Sequence, residues 1–154
     1  MPKLVVLGLF LFGMATPVVA QNQLSYVSNY GKPNQPVTTE CRQMGQVFTH
    51  FASLYPHPKS GWSFVIVCDE NTWKAFMQKT DFVGGQVDHY GETDIDAGLT
   101  LIRGYKLLYP DIGVTAEHVV AHELAHVTLH SRDEYLVDAT AMQWIKQQEA
   151  KSGQ

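Results

Sequence analysis

Apolar positions in this chain recur with two different periods, and the changes of period divide it into elements. Cys41, Met44, Phe48, Phe51 and Tyr55 fall three or four residues apart, the spacing that lines one face of an α-helix. Thr38 or Thr39 stands ahead of this run as a cap and Glu40 lies in the first turn, both favourable at a helix start. Pro56, Pro58 and Gly61 end it. Trp62 to Cys68 reads Trp-Ser-Phe-Val-Ile-Val-Cys, the best strand signal in the chain. Asp69 or Asn71 then caps a short helix carrying Trp73, Phe76 and Met77. From Asp81 to Asp96 glycine and aspartate dominate, which predicts loop with one short strand around Gln86 to Tyr90. His89, inside that segment, reads as a surface histidine. Leu99 to Arg103 reads as a second strand, at a sheet edge. Pro110 and Gly113 close that region, Thr115 caps the next helix, and Ser131 begins the last. Helix, strand, helix, strand, helix, helix is the order of a small single-domain α+β fold. The expected architecture is a short mixed sheet packed against the two final helices.

The N-terminus changes this picture by removing itself from it. Lys3, the apolar run from Leu4 to Met14 and the small residues before Gln21 read as a signal peptide over 1–20, cleaved after Ala20. An uncleaved anchor is the alternative. The run is shorter than the roughly 20 residues a spanning helix needs, so no membrane span is expected in the mature chain. Residues 21–37 are polar and carry Gly31, Pro33 and Pro36, a loosely structured lead-in to a domain over 38–150. The net charge is −4 with no basic run, which argues against nucleic acid or an anionic membrane surface as partner. Export would put the only two cysteines, Cys41 and Cys68, in a secreted or periplasmic compartment that favours a disulfide. A helix from Cys41 to Tyr55 runs about 21 Å, and a strand from Trp62 to Cys68 returns about 20 Å. The two thiols therefore come back to one level. Two separate buried thiols are the alternative, and a thiolate zinc site is out of reach with two cysteines.

Candidate chemistry concentrates in Val119–Thr128, where His122-Glu123-Leu124-Ala125-His126 is an H-E-x-x-H motif. Residues four apart share a helix face, so both histidines can reach one ion. Imidazole nitrogens suit Zn²⁺, which when catalytic takes three protein ligands and keeps one position open. Glu123 would stand beside that open position as general base. Val119, Val120, Leu124, Ala125 and Val127 are uncharged, as expected of a helix running through a core. His118 and His130 extend the histidines to a ladder of four. The ladder is about 18 Å long against Zn–N bonds of about 2 Å, so its end members read as flanking polar residues.

The third ligand should come from the last helix. Glu134, Tyr135, Ala141, Met142 and Ile145 lie within about 60° of Asp138 at 100° per residue, which puts both carboxylates on the apolar stripe. A buried carboxylate needs compensation, and a metal or a histidine N–H supplies it. Antiparallel helices would set Glu134 near His126 and Asp138 near His122. Three readings stand open: Glu134 as ligand, Asp138 as ligand with Ser131-x-x-Glu134 a capping box, or water or another group in that place.

His122-Glu123-Leu124-Ala125-His126 followed by Glu134-Tyr135-Leu136-Val137-Asp138-Ala139 resembles the H-E-x-x-H and E-x-x-x-D pairing of zincin metallopeptidases, specifically the gluzincins. The likeness covers Thr115 to Ile145, and the strand order before it is similar to small secreted peptidase MA-like domains. It implies a zincin-like fold, Glu134 as the third zinc ligand beside His122 and His126, and Asp138 orienting a ligating histidine. The metzincin pattern is absent, since Arg132 stands where its third histidine would fall. Tyr105, Tyr109, Tyr135 and His130 are the available groups for an oxyanion. The function expected is an exported zinc-dependent peptidase with Zn²⁺ as cofactor and a peptide or protein as substrate, paired along the Leu99–Arg103 strand. A non-catalytic zinc-binding module is the alternative, and hydrolysis of a non-peptide bond is a third reading.

Overall fold

Side chains of a strand alternate between the two faces of its sheet, and that alternation organises this domain. The computed structural model describes residues 22–27, 36–58, 60–79, 89–105 and 114–153. The expected signal segment over 1–20 lies outside the described residues. Among them the order is β1 (Gln23–Val27), α1 (Thr39–Leu54), β2 (Ser63–Val67), α2 (Glu70–Lys79), β3 (Gly91–Asp94), β4 (Leu99–Arg103), α3 (Ala116–Leu129) and α4 (Glu134–Ser152). This is a small α+β domain with four helices and one mixed four-stranded sheet, in the order β1-β2-β4-β3. The first three are parallel neighbours, and β3 runs antiparallel to β4.

Phe64, Ile66 and Ile102 turn to one face, where they join Phe48, Phe51, Val120, Leu124, Val137 and Trp144 from α1, α3 and α4. Val67 and Leu101 turn to the other face, against Trp73 and Met77 of α2. α1 starts where its sequence says: the Thr38 hydroxyl accepts from the Cys41 N–H at 3.1 Å. Its far end is tied to α4 by Tyr55, which stacks on Trp144 with ring centroids 4.1 Å apart. Asp69 is the cap of α2, accepting from the Thr72 N–H at 2.9 Å. Cys41 and Cys68 form a disulfide with Cα atoms 5.3 Å apart, joining the start of α1 to the end of β2. Such a bond persists in an extracellular or periplasmic setting rather than a reducing one. Among the described residues no helix is long and apolar enough to cross a membrane.

Three expectations change. The lead-in over 21–37 contains β1, an outer strand paired in parallel with β2. The short strand expected around Gln86 to Tyr90 is β3, at Gly91–Asp94, and residues 86–88 lie outside the described ones. Leu99–Arg103 is therefore not an edge: β4 sits between β2 and β3, and β3 is the outer strand. The β3–β4 turn explains how so polar a segment becomes a strand. Asp94 Oδ1 accepts from the N–H groups of Asp96 and Ala97 at 3.0 and 2.9 Å, and Gly98 takes φ +62°, a conformation glycine adopts without penalty.

Candidate metal centre

α3 is buried nearly all round, as its uncharged flanks require. Thr115 caps it by accepting from the His118 N–H at 3.2 Å, and α3 packs against α1, α4, β3 and β4. It ends in a corner built on His126. The backbone carbonyl of His126 accepts from the N–H groups of His130 and Ser131, and His130 closes the turn in the left-handed region at φ 49°. Asp133, not Ser131, then caps α4, accepting from the N–H groups of Tyr135 and Leu136 at 3.1 and 3.2 Å. That removes the Ser131–Glu134 capping box and leaves the Glu134 side chain free to face α3.

His122 Nε2 and His126 Nε2 lie 3.2 Å apart. Glu134 Oε2 is 3.2 Å from the first and Oε1 is 3.5 Å from the second. Three ligands at zinc's usual 2.0–2.1 Å in tetrahedral directions stand about 3.3 Å from one another. The two histidine nitrogens are at that spacing and the Glu134 carboxylate faces both, one oxygen towards each, so His122, His126 and Glu134 are a group able to hold a metal ion. The outer nitrogens fit as well. His126 Nδ1 is 2.7 Å from the Ser131 carbonyl oxygen, which can only accept, so the proton sits on Nδ1 and the lone pair on Nε2. Asp138 Oδ1 is 3.6 Å from His122 Nδ1 and 3.2 Å from His118 Nε2. Burial, reinforced by His126, lowers the pKa of His122 below its ordinary 6.5, with Glu134 and Asp138 opposing. That favours the neutral imidazole which metal ligation needs.

The premise that brought Glu134 and Asp138 to this site needs correcting even though their placement agrees. The buried stripe of α4 is Val137, Ala141 and Trp144. Tyr135 is 89% exposed and Met142 37%, and the side chains of Glu134 and Asp138 are 73% and 52% exposed. The carboxylates flank the core rather than enter it. They reach the histidines because α4 folds back along α3.

Glu123 is buried and lines the same cleft as the histidine pair. Burial pushes its carboxyl up to about 8; a hydrogen bond from Thr93 opposes the rise, and Glu92 and Glu134 add to it. The Thr93 hydroxyl donates to Glu123 Oε2 at 2.5 Å. Gly91, two residues earlier on β3, lies so close that a Cβ there would come within 2.6 Å of the Glu123 Cδ. β3 thus passes directly over Glu123, and Gly91 and Thr93 were not foreseen as site residues. A cleft of about 650 Å³ opens between β3 and α3, lined by residues that include Tyr90, Glu92, His118, His122, Glu123, Arg132 and Glu134.

The remaining candidates separate. His118 lines the cleft and pairs with Asp138, whereas His130 is exposed at the corner. His89 sits at the cleft rim with Nδ1 2.9 Å from Glu92 Oε2. Of the groups considered for an oxyanion, Tyr105 is buried in the α2 cluster away from the cleft, and Tyr135 projects into solvent. Tyr109 lies outside the described residues. Arg132, which donates to Asp96 at 2.6 Å, places a cation on the cleft rim. No family model matches this chain, and no curated protein or solved structure matches it either.

Proposed function

We propose that this chain is an exported zinc-dependent peptidase of gluzincin type, with His122, His126 and Glu134 as the ligands and Glu123 as general base. The observation that carries the reading is the conjunction of two histidine nitrogens and a Glu134 carboxylate oxygen, all within 4.8 Å of one another, with a buried carboxylate in the same cleft. A binder without turnover has no use for that buried carboxylate, whose desolvation is costly. Bound by the three ligands, Zn²⁺ would polarise a carbonyl and acidify a water. A cation held beside Glu123 would favour its carboxylate over the protonated form that burial alone favours. That carboxylate takes the water proton and delivers it to the departing amine, so that water adds to the carbonyl carbon while the C–N bond breaks. The Ser131 carbonyl holds the His126 ring in orientation, and Asp138, 3.6 Å from His122 Nδ1, would do the same for His122 by closing to hydrogen-bond distance.

The outer strand of the sheet, β3, would hold the substrate. The Arg103 N–H donates to the Tyr90 carbonyl at 2.8 Å, and Tyr90 stands opposite Arg103 in the register of β3 and β4. Hydrogen-bonded and non-bonded pairs alternate along an antiparallel ladder, so Gly91 and Thr93 turn their N–H and C=O groups away from β4. An extended peptide added there would run beside Glu123. The test is hydrolysis of a mixed peptide library by zinc-loaded protein. Glu123→Gln should retain the metal and lose about 10²-fold or more in rate. A variant indistinguishable from the parent in every assay would remove the peptidase reading.

A further inference from the structure

A line of polar groups crosses the otherwise apolar sheet face and ends on Glu123. Trp62 Nε1 lies 3.0 Å from Thr100 Oγ1, Thr100 Oγ1 lies 3.1 Å from Thr93 Oγ1, and Thr93 Oγ1 lies 2.5 Å from Glu123 Oε2. Trp62 and Thr100 are buried and Thr93 is half-buried. An indole nitrogen can only donate, and a hydroxyl has one proton to give. Thr100 therefore accepts from Trp62 and gives its proton to Thr93, which gives its own to Glu123. The chain has one direction, and it requires an acceptor at its end.

We propose that Thr93 is the positioning residue of Glu123, its hydroxyl aimed by Thr100 and Trp62 so that Oε2 is held as an acceptor and Oε1, packed against Gly91, is the oxygen left to take a proton. The inference rests on the peptidase reading for its catalytic consequence, not for its geometry. A carboxylate packed under Gly91 has little room to turn about its chain, and the hydroxyl removes what freedom remains. Thr93 touches neither the ion nor the scissile bond, so its effect is on the placement of the base. Misplacing a reacting group by about 1 Å can cost 10²-fold in rate.

Thr93→Val keeps the shape and removes the hydroxyl, and Thr93→Ser restores it. In zinc-loaded protein assayed with a quenched fluorogenic peptide, Thr93→Val should lower kcat by about 10- to 100-fold, the range expected when a supporting hydrogen bond is lost. KM and zinc content should stay at parent values, and Thr93→Ser should recover most of kcat. Trp62→Phe, which removes only the N–H at the far end, should lower kcat by less than Thr93→Val. Crystal structures of parent and Thr93→Val give a readout independent of turnover: the Glu123 carboxylate should rotate off its parent position in the variant. A Thr93→Val protein with parent kcat and an unmoved Glu123 carboxylate overturns the proposal. If the parent itself hydrolyses nothing, the peptidase reading fails, and the carboxylate position alone decides this one.

Discussion

The two helices that frame the metal centre contribute to it in opposite ways. α3 offers groups that are buried and already oriented: His126 is 7% exposed with its outer nitrogen bound to the Ser131 carbonyl, and Glu123 is 5% exposed beneath β3. α4 offers carboxylates standing mostly in water, Glu134 at 73% and Asp138 at 52%. Orientation on the α3 side was fixed when the core folded, so those groups lose little freedom on binding an ion. Side chains standing in water keep more rotamer freedom, so those on α4 lose more of it on binding an ion. The comparison teaches that the α3 groups set the geometry of the centre before any ion is present, whereas on α4 Glu134 would complete it and Asp138 would tune it.

That contrast can be broken most severely at His126. Alanine there removes the nitrogen with the best-held lone pair, and zinc content after gel filtration should fall from about one per chain to background. Full zinc occupancy in the variant would put the ion elsewhere. A second test leaves every ligand in place. Gly91→Ala forces a methyl group into the space of the Glu123 carboxylate, so hydrolysis should fall by about 10²-fold while zinc stays bound. Loss of the metal together with activity would mean that β3 supports the ligands rather than the base.

The smallest effect is a pH dependence of the metal-free protein. Glu123 holds its proton up to about 8 when folded, against an ordinary 4.5. Its contribution to stability is complete below pH 4.5 and is lost as the pH rises through 8, because the unfolded chain releases that proton first. His122, lowered from 6.5, acts the other way, costing stability as the pH falls below 6.5. Urea midpoints of metal-free parent and Glu123→Gln, compared between pH 5 and 9, should show the alkaline decline only in the parent.

Legibility in the sequence divides along the same line. α3 could be read almost whole, because a motif at spacing four, a Thr115 cap and uncharged flanks all act within one helix. The α1 stripe from Cys41 to Phe51, the β2 run and the Asp69 cap were legible for the same reason. β1 and β3 were not. Gln23–Val27 and Gly91–Asp94 lie at the two ends of the sheet, half-exposed, and β3 carries Gly, Glu and Asp. Their strand character comes from β2, from β4 and from the Asp94 turn rather than from their own propensities. The α4 stripe was misplaced toward Asp138 because Tyr135 and Met142 looked apolar enough to bury, whereas Val137, Ala141 and Trp144 do so. Thr93 and Gly91 became site residues only when β3 was laid across α3. Their spacing along the chain carries no sign of it.

The division of labour on α4 is tested most directly by zinc affinity, measured by competition with a chromophoric chelator for Glu134→Ala and Asp138→Asn beside the parent. Glu134→Ala should lose zinc outright, because one of three donor oxygens and nitrogens is gone. Asp138→Asn should keep about one zinc per chain with affinity lowered about 10- to 100-fold. Metal stripped by Asp138→Asn and retained by Glu134→Ala would contradict this, and would move the centre one turn up α3 to His118, His122 and Asp138.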